Sequence, residues 1–448
     1  MSGRLRAALA IYAHPRLRAM LFLGFSTGLP FLLVFSTLSA WLRDAGVDLG
    51  SIGLTSYILT AYSVKVLWAP VVDRVPLPLL TRALGKRRSW MLVAQVCVAA
   101  GLYALSLRDP QAGLTPLVLI ALLTAFASAT QDIAVDAWRI EAAPEGKQGP
   151  MASAYQLGYR IGLLVASAGA LWLAGTRDWH LAYRVMALFA LAGPVVTLLS
   201  EEPAAPAAAD TAARETRVVQ WLEARAHWPA PLRRAGAFLI GAIVCPLTDF
   251  FQRNGTPLAL TILAFIGLFR LTDITMGVMA NPFYLDLGYT KVQIALVAKG
   301  YGVLASIAGI FLGGISLARL GVARSLFIGG LLVIASNLAF GLLAQMAHPD
   351  LTGLALVISG DNIAYNFAGT AFIAYMSGLT NAAYTATQYA LFSSLFTLPG
   401  KILAGASGYV VEAAGYPLFF VYTSALGIPA LLVLRALSRR LQGAAPSA

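Results

Sequence analysis

The sequence has few charged residues and very little cysteine or histidine. Of its 448 residues, 12% are charged and 58% are hydrophobic, with two cysteines and four histidines. A soluble domain of this size would need far more polar surface to cover itself. Cys97 and Cys245 lie in separate apolar stretches and have neither metal-site nor redox-motif spacing, which argues against a disulfide framework. We expect a membrane protein without a metal site or a cofactor.

The net charge of +12 comes from short clusters of arginine and lysine between apolar runs. A nucleic-acid-binding protein would gather such residues in one stripe or arm, so we expect no nucleic-acid partner. Clusters on alternate loops instead indicate orientation in a lipid bilayer. By the positive-inside rule, both termini are predicted to be cytoplasmic.

Apolar runs of the length of a membrane-spanning helix, about 20 residues, recur along the chain. They predict an all-α membrane protein with twelve transmembrane helices. The predicted spans cover residues 17–42, 51–72, 89–107, 114–140, 150–174, 181–200, 257–285, 291–318, 324–345, 351–379, 384–408 and 416–436.

A polar, alanine- and proline-rich stretch separates the sixth and seventh spans. It divides the chain into an N-terminal six-helix bundle (1–200), a cytoplasmic linker with an amphipathic or interfacial helix (201–256) and a C-terminal six-helix bundle (257–448). "ASAYQLG" opens the fifth span much as "TATQYAL" opens the eleventh, which indicates a duplicated unit. Two such repeats around a midplane cavity resemble the build of the major facilitator superfamily.

The fourth span carries ionisable residues along one face. Ser128, Asp132, Asp136 and Arg139 follow one another at helical spacings of four, four and three. Charges at this depth are costly unless they are paired or face water. We expect Asp136 and Arg139 to pair. Two interpretations then stay open: an ion pair that only locks the helix, or Asp132 and Asp136 as proton-coupling groups.

The later spans repeat this pattern. Arg270 and Asp273 lie three residues apart in the seventh span, ahead of "NPFY", and Asp361 lies in the tenth. Asp273 and Asp361 are further candidates for proton coupling, and pairing between helices is the alternative. Lys65 and Lys401 lie nearer to helix ends and are expected to snorkel. The candidate substrate-binding residues are Gln131, Tyr155, Arg160, Arg270, Asn281, Tyr284, Lys299 and Asn366.

Several strings together are similar to the AmpG-type muropeptide permeases, a branch of the major facilitator superfamily. They are "GFSTGLPFLLVFSTLSAWLRDAGV", "LWAPVVDRVPLP", "GKRRSWML", "SATQDIAVDAWRIE", "NPFYLDLGYTKVQIALVAKGYG" and "ATQYALFSSL". The resemblance implies import of GlcNAc-anhydroMurNAc peptides across the bacterial inner membrane, with protons, for peptidoglycan recycling and, indirectly, β-lactamase induction. It maps the family's glutamine-aspartate pair onto Gln131 and Asp132. We expect a monomer whose partners are the muropeptide, protons and lipid.

The resemblance also implies a cytoplasmic gate in the second loop, although the insertion before Gly85 is longer than the usual pattern. Such a loop pairs with the ends of neighbouring helices, and Glu141 and Asp136 are the expected partners. The candidate gate residues are Asp73, Arg74, Arg87, Arg88, Arg139 and Glu141.

Three other functions remain open at this stage. One is a permease for another bulky anion, such as a peptide, a drug or an acyl-CoA. Another is a non-transporting membrane sensor. A membrane enzyme that acts on lipid-linked sugars would need a metal cluster or a serine with a histidine base. No histidine lies within a confidently predicted span, so we expect no enzyme.

Overall fold

The computed structural model describes residues 14–47, 58, 60–143, 147–204, 216, 218–294, 296–297, 301–346 and 350–443. These residues are mostly helical. In the first part of the chain the helices are α1 Pro15–Leu33, α2 Ser36–Asp44, α3 Thr60–Val64, α4 Ala69–Arg74, α5 Leu80–Leu84, α6 Lys86–Leu105, α7 Leu114–Ala142, α8 Gln148–Leu164, α9 Ala170–Thr176, α10 Trp179–Ala190 and α11 Ala192–Leu199.

The linker and the second part of the chain continue the series. Their helices are α12 Ala230–Leu239, α13 Cys245–Asn254, α14 Thr256–Phe269, α15 Leu271–Gly277, α16 Ala280–Asp286, α17 Lys291–Ile294, α18 Gly302–Leu343, α19 Leu351–Leu379, α20 Thr385–Gly405, α21 Ser407–Ala425 and α22 Gly427–Gly443. A π-helical turn, Val165–Gly169, joins α8 to α9, and another, Ile240–Val244, joins α12 to α13.

Eight helical stretches among the described residues are long and apolar enough to cross a membrane. They are Pro15–Asp44, Lys86–Leu105, Leu114–Ala142, Gln148–Thr176, Trp179–Leu199, Thr256–Asp286, Gly302–Leu343 and Ser407–Ser438. Part of the predicted second span lies outside the described residues. The predicted tenth and eleventh spans correspond to α19 and α20, and α19 carries Asp361, Asn362 and Asn366 in its middle.

Helix α18 covers the later part of the predicted eighth span and most of the ninth. Its helical geometry is interrupted at Gly321, where φ is +77°, a conformation that a residue without Cβ adopts at little cost. Nothing lies within 4 Å of the position that a Cβ at Gly321 would occupy. The two spans therefore meet at a one-residue turn.

The helices form two compact units. Unit 1 contains the described residues up to Asp249 together with Thr380–Leu391, and unit 2 contains Phe250–Leu379 and the described residues from Phe392 onwards. The short segment Thr380–Leu391, which ends in the first turns of α20, thus packs with unit 1. We keep the division into two six-helix bundles as a prediction.

Glycine residues bring helices α1 and α8 of unit 1 into close contact. A Cβ at Gly24 would overlap the carbonyl oxygen of Tyr155, and one at Gly28 would overlap that of Tyr159. Gly158 and Gly162 make the reciprocal approach to the backbone of α1. Such small residues let two backbones pack closely where lipid supplies no hydrophobic drive to associate. The contact holds α8 beside the polar face of the fourth span.

In unit 2, α18 and α19 pack by the same means, since a Cβ at Gly309 would meet the backbone of Ile363. An aromatic cluster lies where α16, α18 and α21 of this unit meet. Phe283 lies 4.8 Å from Phe420 and 6.1 Å from Phe340, measured between ring centroids. These contacts bury Phe283 and Tyr284 of "NPFY".

Candidate functional site

Helix α7 presents a buried group of charges in unit 1. The Lys65 ammonium lies 3.9 Å from a carboxylate oxygen of Asp132 and 3.9 Å from one of Asp136. The Arg139 guanidinium lies 3.3 Å from the other oxygen of Asp136. The predicted Asp136–Arg139 pair is confirmed. We call these four residues the charged cluster.

Lys65 belongs to this cluster, and the expectation that it snorkels to the interface is wrong. It begins a short 3₁₀ turn, Lys65–Leu67, after α3, and it is only 8% exposed. The turn directs its ammonium towards α7 instead of along the helix axis to water. The signal in the sequence was a lysine within one predicted span and two aspartates within another.

Two tyrosine rings flank the guanidinium of Arg139. The Arg139 Cζ lies 5.5 Å from the ring centroid of Tyr155 and 5.0 Å from that of Tyr389, within cation–π range. Arg139 is fully buried, so its guanidinium lies inside unit 1. Tyr389, which the sequence did not single out, comes from the Thr380–Leu391 segment.

Two buried acceptor oxygens in and beside the cluster, Asp132 Oδ1 and Gln131 Oε1, have no hydrogen-bond partner among the described residues. The hydroxyls of Tyr62 and Ser128 lie near them and bond to each other. Gln131 Nε2 donates to Ser26 Oγ at 3.0 Å, which fixes the orientation of the Gln131 side chain. Buried polar groups are normally satisfied by protein or water. This part of unit 1 therefore offers acceptors to water, a proton or a polar ligand.

Arg87 is the centre of the candidate cytoplasmic gate. Its Nη2 donates to Asp73 Oδ1 at 2.8 Å and to Glu141 Oε1 at 2.6 Å, and its Nε lies 3.0 Å from Glu141 Oε2. Asp73 accepts three more hydrogen bonds: from the backbone NH and the hydroxyl of Thr387, both at 2.6 Å, and from the backbone NH of Ala386 at 3.2 Å. Glu141 is thus a partner of the loop, whereas Asp136 pairs with Lys65 and Arg139.

The pKa of Asp73 reflects these contacts. Burial by itself would raise it, but the charge of Arg87 and the hydrogen bonds from Thr387 and Arg87 outweigh burial and hold it below its usual value. Asp73 is therefore a carboxylate at neutral pH.

Two other predicted gate residues have different contacts. Arg88 donates to the carbonyl oxygens of Thr197 and Leu198, at 2.9 and 2.7 Å, and so holds the end of α11. The guanidinium of Arg74 lies where a Cβ at Gly241 would be. Glu202 accepts from the backbone NH groups of Arg87 and Arg88, at 2.8 and 3.0 Å. The sequence analysis missed Glu202, since it falls in the predicted linker.

Unit 2 contains a second buried ion pair. Arg270 and Asp273 approach to 2.9 Å, and the guanidinium of Arg270 lies 4.0 Å from the ring centroid of Tyr365. Asp361 accepts from Ser336 Oγ at 3.3 Å. Asn366 is buried and donates to the carbonyl of Asn362 at 2.7 Å. The predicted Arg270–Asp273 pair is present. Asp361 lies on α19, the helix that also carries Tyr365.

The remaining substrate-binding candidates lie on α8, on α16 or outside the described residues. Arg160 is half-buried on α8, five residues after Tyr155. Tyr284 is buried beside Phe283 and Phe340, which favours a packing role. Asn281 lies on α16, and Lys299 falls outside the described residues. Among the described residues, no three His, Cys, Asp or Glu side chains lie together as metal ligands would.

Comparison with known proteins identifies the family of the chain. Residues 20–404 match the model of the Major Facilitator Superfamily. The chain is 34% identical over 95% of its length to the anhydromuropeptide permease of Escherichia coli strain K12, covering 80% of that protein. It is also 34% identical over 96% of its length to a Rickettsia felis protein named AmpG 4, covering 98% of it.

A solved structure shares the fold. The proton:xylose symporter XylE, bound to 6-bromo-6-deoxy-D-glucose, superposes with a TM-score of 0.66 at 13% identity, over 95% of this chain and 96% of that one. The predicted fold is thereby confirmed. The chain belongs to the AmpG-type permeases of the major facilitator superfamily and is a multi-pass membrane transporter.

Proposed function

We propose that this transporter imports GlcNAc-1,6-anhydroMurNAc peptides from periplasm to cytoplasm together with protons, across the bacterial inner membrane and with both termini cytoplasmic. The observation that carries the substrate is the 34% identity over 95% of the chain to an anhydromuropeptide permease. The proton is supported by buried carboxylates in helices that lie within membrane-spanning lengths of chain.

Asp132 is the best candidate for the coupling group. Asp136 lies near two cations, Lys65 and Arg139, whereas the ion pair of Asp132 involves Lys65 alone. Protonation of Asp136 would leave Arg139 poorly compensated in a buried place, which is costly. Protonation of Asp132 leaves Lys65 with Asp136 still beside it. Asp136, Asp273 and Asp361 are secondary candidates.

The substrate's chemistry matches the polar groups on both units. Anhydromuropeptides present sugar hydroxyls, amides and peptide carboxylates, which need donors and cations. In unit 1 we assign Gln131, Tyr155 and Arg160 to substrate, since Gln131 keeps an unsatisfied acceptor. In the second part of the chain we assign Arg270, Asn281, Lys299 and Asn366, and we leave out Tyr284 because its ring packs against Phe283 and Phe340. Arg139 lies beside Tyr155, and we assign it to the gate with Asp73, Arg74, Arg87, Arg88 and Glu141.

Uptake into vesicles tests this proposal. Right-side-out vesicles containing the protein should accumulate labelled anhydromuropeptide when the outside is acidic. A protonophore should abolish the accumulation, and vesicles without the protein should show none. Absence of muropeptide uptake, or uptake inhibited more strongly by an unrelated peptide or an acyl-CoA than by unlabelled muropeptide, would overturn the assignment of substrate. Uptake that ignores the pH difference would overturn proton coupling.

A further inference from the structure

The helical stretch in the second half of the linker makes contacts that the function described so far does not use. It comprises α12, the π-helical turn Ile240–Val244 and α13. Single π-helical turns cost stability and frequently mark functional positions. This turn lies against the guanidinium of Arg74, at Gly241, and leads directly into Cys245.

Asp249 on α13 holds the Thr380–Leu391 segment through two side-chain amides. Asn381 Nδ2 donates to Asp249 Oδ1 at 3.0 Å, and Gln388 Nε2 donates to Asp249 Oδ2 at 3.0 Å. Gln388 Nε2 also donates to the carbonyl of Pro246 at 2.9 Å. Gln388 Oε1 accepts from the backbone NH of Asn381 at 2.8 Å, so the two amides are tied together.

The same segment is held on another side by Asp73. Thr387, the immediate neighbour of Gln388, donates twice to Asp73, and Ala386 donates its backbone NH at 3.2 Å. Two carboxylates from distant parts of the sequence therefore hold consecutive residues of one segment. Asp73 also pairs with a buried cation, Arg87.

An apolar contact seals the Asp249 side of the segment. Cys245 is fully buried, and it packs with Ala383 and Tyr384. Asp249 itself is half-buried, so water can replace its amide partners when the segment leaves. Breaking a hydrogen bond at a half-buried carboxylate exchanges a protein partner for water, so its net cost is modest. These contacts can therefore be broken and remade.

We propose that Asp249 is a positioning residue of the transport cycle. It holds Thr380–Leu391 against α13 in this conformation and releases the segment in each cycle. The stretch from α12 to α13 therefore takes part in transport. It acts through Asn381 and Gln388 and touches no substrate. Asp73 and Asp249 then hold the same segment through two separate sets of hydrogen bonds.

The chain contains its own reporter for this fastening. In a Cys97→Ala background, Cys245 is the only thiol, and the contact with Ala383 and Tyr384 shields it. Asp249→Ala should raise the rate of N-ethylmaleimide labelling of Cys245 at least about tenfold, because two hydrogen bonds to a carboxylate are lost. Asn381→Ala, which removes one amide donor, should raise the rate less. Glu223→Ala, at an exposed carboxylate of the linker, should leave it unchanged.

Labelling at the background rate in both Asp249→Ala and Asn381→Ala would overturn the proposal. If Asp249→Ala does not fold, Asn381→Ala and Gly241→Val decide it. A side chain at Gly241 would displace Arg74 and lift the stretch, so Gly241→Val should also expose Cys245.

A cross-link separates a reversible clamp from a fixed strut. In the Cys97→Ala background, Ala383→Cys places a second thiol beside Cys245, and oxidation should join them. Uptake of anhydromuropeptide should then stop and return on reduction, whereas the Cys97→Ala parent should be indifferent to oxidant. If the cross-linked protein transports as fast as the same protein after reduction of the disulfide, the proposal is overturned. This arm rests on the proposed function: if the reduced protein takes up no muropeptide, that function fails and the labelling rates alone judge Asp249.

Discussion

At the scale of single residues, Asp132 and Asp136 differ in their cation partners. Because Asp132 is paired through Lys65 alone, we expect Asp132→Asn to remove proton coupling while leaving the path for solute intact. The accumulation ratio of muropeptide in vesicles with an acidic exterior should fall to about one, while exchange of internal for external substrate continues. Glu412→Gln, at an exposed position on α21, should accumulate substrate normally. Normal accumulation by Asp132→Asn would remove Asp132 from the mechanism.

Lys65 allows a test of the charged cluster as a unit. Lys65→Met should lower the free energy of unfolding by about 3–5 kcal/mol, because the buried Asp136 and the partly buried Asp132 lose their common cation. Adding Asp132→Asn should recover more than half of that loss, since one uncompensated charge is removed. Thermal unfolding in detergent measures both variants. Strictly additive losses would show that Lys65 and Asp132 do not interact.

At the scale of elements, glycine governs how closely helices α1 and α8 approach. We expect Gly28→Ala to destabilise the protein by about 1–3 kcal/mol, because the added methyl group overlaps the backbone of Tyr159. Gly360→Ala on α19 is the matched change, since nothing lies within 4 Å of its Cβ position. There the better helix propensity of alanine, about 1 kcal/mol, should leave stability equal or improved. Equal effects of the two substitutions on the melting temperature would contradict the close contact.

The elements also show which contacts can be predicted along one helix. Asp136 and Arg139 lie on consecutive turns of a single helix, so their pairing follows from spacing. The position of Lys65 depends on a 3₁₀ turn in another element, and nothing in its local sequence specifies where that turn directs the ammonium. Glu202 looked like part of a polar linker, yet it accepts two backbone hydrogen bonds at the start of α6. Contacts between distant elements required the structure.

At the scale of the whole molecule, Asp73 ties residues from opposite ends of the sequence and should make stability depend on pH. Its folded pKa is lower than its unfolded value, so its contribution is fully present above the unfolded pKa, about 4. The contribution is lost as the pH falls through the folded value. The difference in unfolding free energy between wild type and Asp73→Asn should therefore be constant near neutrality and shrink below about pH 4. A difference that grows on acidification would contradict the assigned direction.

The whole molecule also shows the limits of a division made at the linker. The apolar runs and charged loops predicted the fold class, and the family resemblance implied a gate in the second loop. The association of Thr380–Leu391 with unit 1 could not be predicted, because it depends on Asp73, Arg139 and Asp249 converging on one short segment. The eleventh span looked like an ordinary member of its bundle.

The turn at Gly321 has a mechanical consequence. Ser316 Oγ and Ser325 Oγ lie 2.8 Å apart across it, both buried, and Ser325 also donates to the carbonyl of Gly321 at 2.8 Å. A connection this short, closed by a hydrogen bond, leaves the two helices little freedom to move relative to each other. The eighth and ninth spans should therefore move together as one rigid helical hairpin. Any bending of unit 2 during transport has to occur at other connections between its helices.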